Sequence, residues 1–143
     1  MRRLSRLSRL SGLELRLLAE ALGWVVLVRL ALWYLPFRRL WETCRRLARV
    51  RRHSPRPPPA WRFDEAVRRA SRVVPAATCL TRSLALYIML GRSGYPCEVR
   101  LGAAREGDRF LAHAWVECGP APPGGPADAR RFTAFPSLGD FPR

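Results

Sequence analysis

Residues 78–101 read TCLTRSLALYIMLGRSGYPCEVRL, and the period of the hydrophobic residues changes within this stretch. Its first part places apolar residues three and four positions apart, which is the spacing of a helix. Gly94 and Pro96 then supply the usual signals for the end of a helix. From Cys97 to Leu101 apolar and polar residues alternate, which is typical of a strand. The stretch therefore predicts a helix that begins near Thr78 and is followed by a strand.

The residues that follow predict the rest of an antiparallel sheet. Residues 106–108 (EGD) are a hairpin signal, and residues 110–118 (FLAHAWVEC) have the pattern of a returning strand. After a loop rich in proline and glycine, residues 130–135 (RRFTAF) predict a third short strand. Because the predicted helices precede the predicted strands, the expected fold class is α+β.

The N-terminal third of the chain predicts helices. In residues 1–52 leucines recur at helical spacing with arginines between them. Residues 53–60 (HSPRPPPA) predict an extended linker, and residues 61–74 predict another helix that ends before Pro75. We therefore expect an Arg-rich helical extension over residues 1–52, a linker, and a core domain over residues 61–143.

Residues 17–34 are the most apolar part of this extension. A membrane span needs roughly 20 predominantly apolar residues, but this run contains Glu20 and Arg29 and is closed by Pro36. An arginine at the centre of a span costs about 2.5–3.5 kcal/mol on insertion scales. The sequence therefore favours a helix packed on the core or on a partner protein, and an in-plane membrane helix is the intermediate alternative.

The net charge and the cysteine pattern limit the partners and the kinds of site that the sequence favours. The formal net charge is +15, and every one of the 26 basic residues is arginine. Such a charge favours acidic partners or anionic membranes, whereas nucleic acid is not expected because no groove-reading motif accompanies it. Four cysteines without a CxxC pair and only two histidines argue against a metal site. Without a cleavable signal peptide, we expect a cytoplasmic protein with free thiols.

Cys79 and His113 are the candidate catalytic pair. The first N–H groups of a helix have no partner within it, so they stabilise a thiolate at Cys79 and can hold an oxyanion. His113 lies on a predicted strand, and strand alternation places it on one face with Trp115 and Glu117. The alternative to a catalytic pair is that Cys79 is a buried packing residue and that His113 is a structural residue. The cysteines expected to be packing or exposed thiols are Cys44, Cys97 and Cys118.

Three segments together resemble one protein family. Residues 78–86 (TCLTRSLAL), 90–96 (LGRSGYP) and 112–117 (AHAWVE) are similar to the transglutaminase-like core of the B2 proteins of lasso-peptide biosynthesis. Residues 125–135 also resemble this family, so the resemblance covers roughly residues 61–135. It implies a transglutaminase-like or papain-like fold.

The resemblance also implies an activity and partners. Members of that family are cysteine peptidases that remove the leader from a ribosomally made precursor peptide, with a small leader-binding B1 protein and a lasso cyclase as partners. Cys79 and His113 match the catalytic cysteine and histidine, and no cofactor is implied. Asp128 is the candidate for the third member of a triad, with Glu117 as the weaker alternative. Two other function classes stay open: a transglutaminase-like acyltransferase, and a noncatalytic basic adaptor or membrane-surface protein.

Overall fold

The computed structural model describes residues 11–51, 56–119 and 132–136. Within these ranges the helices are α1 (Gly12–Tyr34), α2 (Phe37–Arg49), α3 (Ala60–Ser71) and α4 (Cys79–Arg92). The strands are β1 (Glu98–Glu106), β2 (Arg109–Glu117) and β3 (Thr133–Ala134). The predicted order of helices followed by an antiparallel sheet is confirmed, and with it the α+β fold class.

Capping residues and prolines set the ends of the helices. α1 begins with a capping box, in which the Ser11 hydroxyl accepts from the Glu14 N–H and the Glu14 carboxylate accepts from the Ser11 N–H. Pro36 separates α1 from α2, as the sequence predicted when it closed the apolar run at this proline. α3 begins at Ala60, the last residue of the predicted linker, and ends at Ser71 rather than at the predicted residue 74. Residues 72 and 73 form a turn ahead of Pro75, which cannot continue a helix.

One hydrophobic core joins the helices to the sheet. α4 lies at its centre and contacts α1, α2, α3, β1 and β2. Gly91 of α4 allows α2 to approach closely, since a Cβ there would lie 2.7 Å from the Cβ of Ala48. The core side chains include Leu17, Val25, Val28, Leu40, Cys44, Phe63, Val67, Leu84, Ile88, Leu90, Val99 and Val116. α1 and α2 thus pack on the other elements, and the division into an extension and a core domain stays a prediction.

The sheet is antiparallel, with the strands in the order β2-β1-β3. The predicted hairpin joins β1 to β2, and Gly107 takes the positive φ that its turn requires. Val99 pairs with Val116, and both are buried in the core that the sheet shares with the helices. The predicted third strand is present as β3, which pairs with β1. Residues 130 and 131 of that prediction lie outside the described residues.

The expectation of free thiols is wrong for two of the four cysteines, because Cys97 and Cys118 form a disulfide. Cys97 directly precedes Glu98 and Cys118 directly follows Glu117, and these two glutamates are the last pair of the hairpin register. The register therefore sets the two cysteines opposite each other with their Cα atoms 4.4 Å apart, which lies within the range that a disulfide spans. The bond removes the free-thiol argument for a reducing compartment, so the cytoplasmic location stays a prediction.

Reduction of this disulfide should destabilise the fold. The bond joins residues separated by 21 positions, and closing a loop of that size stabilises by about 3 kcal/mol through the entropy of the unfolded chain. We expect reductant to lower the melting temperature by about 10 °C, measured by circular dichroism. A Cys97→Ser, Cys118→Ser double variant should melt at the lower temperature with or without reductant. An unchanged melting temperature after verified reduction would contradict this expectation.

α1 packs along one of its sides as a helix of a globular domain does. Its buried side chains lie against α3 and α4, and they are Leu17, Ala21, Val25 and Val28. Among the helices of the described ranges, none is both long enough and apolar enough to cross a membrane. The preference for a packed helix over a span is therefore supported.

Candidate active site

Cys79 is the first residue of α4. Thr78 precedes it with extended backbone, and the Thr78 hydroxyl accepts from the Thr81 N–H at 3.3 Å. This cap fixes where the helix begins, and the N–H groups of Cys79 and Leu80 have no carbonyl partner within α4. The Cys79 thiol is free and partly exposed. The predicted placement of Cys79 at a helix start is therefore confirmed.

The other cysteines are unsuited to act as nucleophiles. Cys44 is almost fully buried, with 1% of its surface exposed, and burial raises the pKa of its thiol to about 11. Cys97 and Cys118 are joined to each other. All four cysteines lie in the described ranges, so Cys79 is the free thiol that a substrate can reach. Within the same ranges no group of histidine, cysteine and acidic side chains is placed to hold a metal ion.

His113 lies in the middle of β2, opposite Gly102 of β1. Its ring stacks on Trp115 with the centroids 6.2 Å apart, and Phe132 packs against it at 5.4 Å. Gly102 leaves the space that Trp115 fills, because a Cβ there would lie 2.7 Å from the Cη2 atom of Trp115. These aromatic contacts hold the imidazole in a defined orientation.

The surroundings of His113 favour its neutral form. Burial lowers the pKa of the imidazole below its ordinary value of 6.5, and the positive charge of Arg82 lowers it further. Arg82 lies in the first turn of α4, three positions after Cys79. The charge of Arg82 therefore links the imidazole to the first turn of α4. The face of β2 that packs in the helical core is that of Val116, opposite to the face of His113, and the described residues show no hydrogen bond between His113 and Cys79.

Arg82 and Asp64 are neighbours of the site that the sequence interpretation did not single out. Burial raises the pKa of the Asp64 carboxyl, while the charge of Arg82 opposes that rise. Arg82 thus acts on Asp64 of α3 as well as on His113 of β2. Arg82 follows Cys79 by three positions in the sequence, and this spacing could have indicated that the two residues share one side of α4. No sequence pattern indicated that Asp64 lies near the site, because its position depends on how α3 packs.

Glu117 shares one face of β2 with His113 and Trp115, as the strand alternation predicted. Its carboxylate accepts from Trp115 Nε1 at 3.0 Å and from Arg100 Nε at 3.1 Å. Both of its oxygens therefore have partners other than the imidazole, which makes Glu117 a support of Trp115. Asp128 lies outside the described residues, and its role stays a prediction.

The comparisons with known proteins identify a family. The transglutaminase-like superfamily matches residues 11–137. This range contains Cys79, His113 and Asp128, and it also contains α1 and α2. Neither the curated proteins nor the solved structures gave a match. The superfamily includes cysteine peptidases and acyltransferases, and cysteine-dependent catalysis is typical of it.

Proposed function

This chain belongs to the transglutaminase-like superfamily, and we propose that it is a cysteine peptidase that removes the leader from a lasso-peptide precursor. The observation that carries the proposal is the capped start of α4 at Cys79, on the helix against which the strand of His113 packs. The resemblance of residues 78–86 and 112–117 to the B2 proteins supplies the substrate class.

The chemistry follows from the charge state of the histidine. Because burial and Arg82 lower the pKa of the imidazole, the proposed role of His113 is that of a neutral general base. It takes the proton of the Cys79 thiol as sulfur attacks the carbonyl carbon of the last leader residue. The Cys79 N–H stabilises the resulting oxyanion. His113 then protonates the leaving amine of the core peptide, and water hydrolyses the thioester with His113 again as the base.

The third triad position is tested by two variants. In the proposed site Asp128 orients the imidazole, so we expect Asp128→Asn to reduce kcat by about 10²-fold with little change in stability. Glu117→Gln should leave kcat nearly unchanged and lower the melting temperature, because Glu117 holds Trp115 and Arg100. A fully active Asp128→Asn variant would assign the role to Glu117 or to no side chain.

The proposed partners are the leader region of the precursor, a small leader-binding B1 protein and the lasso cyclase. Nucleic acid is not among the proposed partners, and the proposed location is the cytoplasm. The full chain should be incubated with a precursor peptide and a leader-binding protein encoded near its gene, in water enriched in oxygen-18. We expect mass spectrometry to find leader and core fragments, with one heavy oxygen in the new carboxylate of the leader.

The same experiment separates the two alternatives. An acyltransferase would join the leader to an added amine, so its product would contain that amine and no heavy oxygen. The superfamily includes such enzymes, and this is the specific reason to keep that alternative. A noncatalytic adaptor would leave the precursor intact, and Cys79→Ala would then change nothing that is measured.

A further inference from the structure

The turn between α1 and α2 is an apolar projection of the protein surface. All of residues 33–39 (WYLPFRR) are exposed to solvent. Trp33 is 66% exposed and Tyr34 is 79% exposed, and Leu35 and Phe37 are also exposed. Leu35 at 41% and Phe37 at 39% are more covered, so Trp33 and Tyr34 are the side chains that project furthest. We call residues 33–39 the α1–α2 corner.

The apolar surface of this corner continues along α1. Leu27 is 58% exposed and Leu30 is 45% exposed, and with Tyr34 they are spaced three and four positions apart, so they line one side of the helix. The opposite side of α1 is the one buried against α3 and α4. A continuous exposed apolar surface of this kind marks an interaction site.

The charges around the corner are mostly positive. Arg38 and Arg39 belong to it, and the guanidinium of Arg29 lies over the ring of Trp33 at 4.5 Å from the centroid. Arg38 Nε lies 3.4 Å from Glu42 Oε1, but both side chains are well exposed. Ion pairs between exposed side chains are weak. Further arginines on α2 are Arg45, Arg46 and Arg49.

These features match the boundary of an anionic bilayer. Tryptophan and tyrosine rings concentrate at the headgroup level of membranes, and arginines near the surface are attracted to anionic lipids. A lipid surface also accepts a projecting apolar tip without a complementary pocket, whereas a protein partner must supply one. Protein interfaces are also rich in tryptophan, tyrosine and arginine, so retention of an acidic partner protein is the contrary outcome in the test below.

We propose that the α1–α2 corner docks this chain in the plane of an anionic membrane. Trp33, Tyr34 and Phe37 enter the boundary between headgroups and acyl chains, and Arg38 and Arg39 contact lipid phosphates. The docked helix lies in the plane of the bilayer, since no helix of the described ranges is long and apolar enough to cross it. This proposal does not depend on the peptidase activity.

Vesicle flotation of the full chain tests the proposal. The vesicles contain either phosphatidylcholine alone or phosphatidylcholine with about one third phosphatidylserine. We expect the wild-type chain to bind the anionic vesicles. Binding should be at least tenfold weaker for the Trp33→Ser, Phe37→Ser double variant, and also for the Arg38→Gln, Arg39→Gln double variant. The control is Trp61→Ser, Phe110→Ser, which removes two other exposed aromatic side chains and should bind as the wild type does.

Each contrary outcome overturns the proposal. If the wild-type chain binds neutral and anionic vesicles equally, the arginines do not contribute to binding. If the control variant loses as much binding as the corner variants, the α1–α2 corner is not the binding site. All other basic residues stay in place in every variant, so binding that persists after both corner changes assigns the membrane contact elsewhere. Absence of vesicle binding, with corner-dependent retention of an acidic protein, would make the corner a protein interface.

Discussion

Replacing Cys79 with alanine should abolish precursor cleavage, with a loss in kcat/KM on the order of 10⁴-fold or more. Cys79 is the accessible free thiol of the described residues, so without it the thioester does not form and the slow attack of water remains. The measurement is single-turnover cleavage of the precursor followed by mass spectrometry. Because Cys79 is partly exposed at a helix start, the variant should keep the wild-type melting temperature.

Cys44→Ala is the matched control, since it removes the other free thiol. Burial raises the pKa of Cys44 to about 11, so this thiol is almost entirely protonated at neutral pH and shielded within the core. We expect Cys44→Ala to cut at the wild-type rate. Iodoacetamide at neutral pH should modify Cys79 alone, with Cys97 and Cys118 becoming reactive only after reduction. If Cys44 is alkylated first, or if Cys79→Ala still cuts the precursor, the nucleophile has been assigned wrongly.

The features that the sequence predicted well are set by neighbouring residues. The start of α4 follows from Pro75 and from Thr78, whose hydroxyl caps the helix within three positions. The hairpin follows from the alternation of apolar residues and from Gly107, which adopts the turn backbone. In these segments local preference and tertiary packing agree, so a single sequence was sufficient to place Cys79 on a helix and His113 on a strand.

The features that were missed depend on contacts between distant segments. Cys97 and Cys118 become opposite neighbours only once the hairpin register is fixed, and their spacing alone gives no such signal. α1 carries apolar residues on its exposed side, such as Leu27 and Leu30, as well as on its buried side, so its hydrophobic period could not indicate which side faces α3 and α4. The electrostatic effect of Arg82 on His113 depends on how α4 packs on β2. None of these arrangements is encoded by local spacing.

Replacing His113 with alanine should be nearly as damaging as the loss of Cys79. Without the imidazole the thiol keeps its proton during attack, and the leaving amine receives none. Residues that act as one unit are strongly non-additive, so the Cys79→Ala, His113→Ala double variant should be no slower than either single variant. Trp115 and Phe132 pack on the imidazole, so His113→Gln, which retains a planar side chain, separates catalytic loss from unfolding. A double variant markedly slower than both single variants would show that the two residues act independently.

The pH dependence of cleavage identifies the role of the imidazole. A general base must be neutral, so kcat/KM should fall as the pH drops through the pKa of His113. Because burial and Arg82 lower that pKa, the midpoint of the acidic limb should lie below 6.5. Arg82→Gln removes the positive charge, so the pKa of His113 should rise and the midpoint should move to higher pH. The nearby acid Asp64 stays in place in this variant, so the direction of the shift reports the charge of Arg82. A purely structural Arg82 would instead lower the rate equally at every pH, and a midpoint that moved to lower pH would contradict the electrostatic assignment.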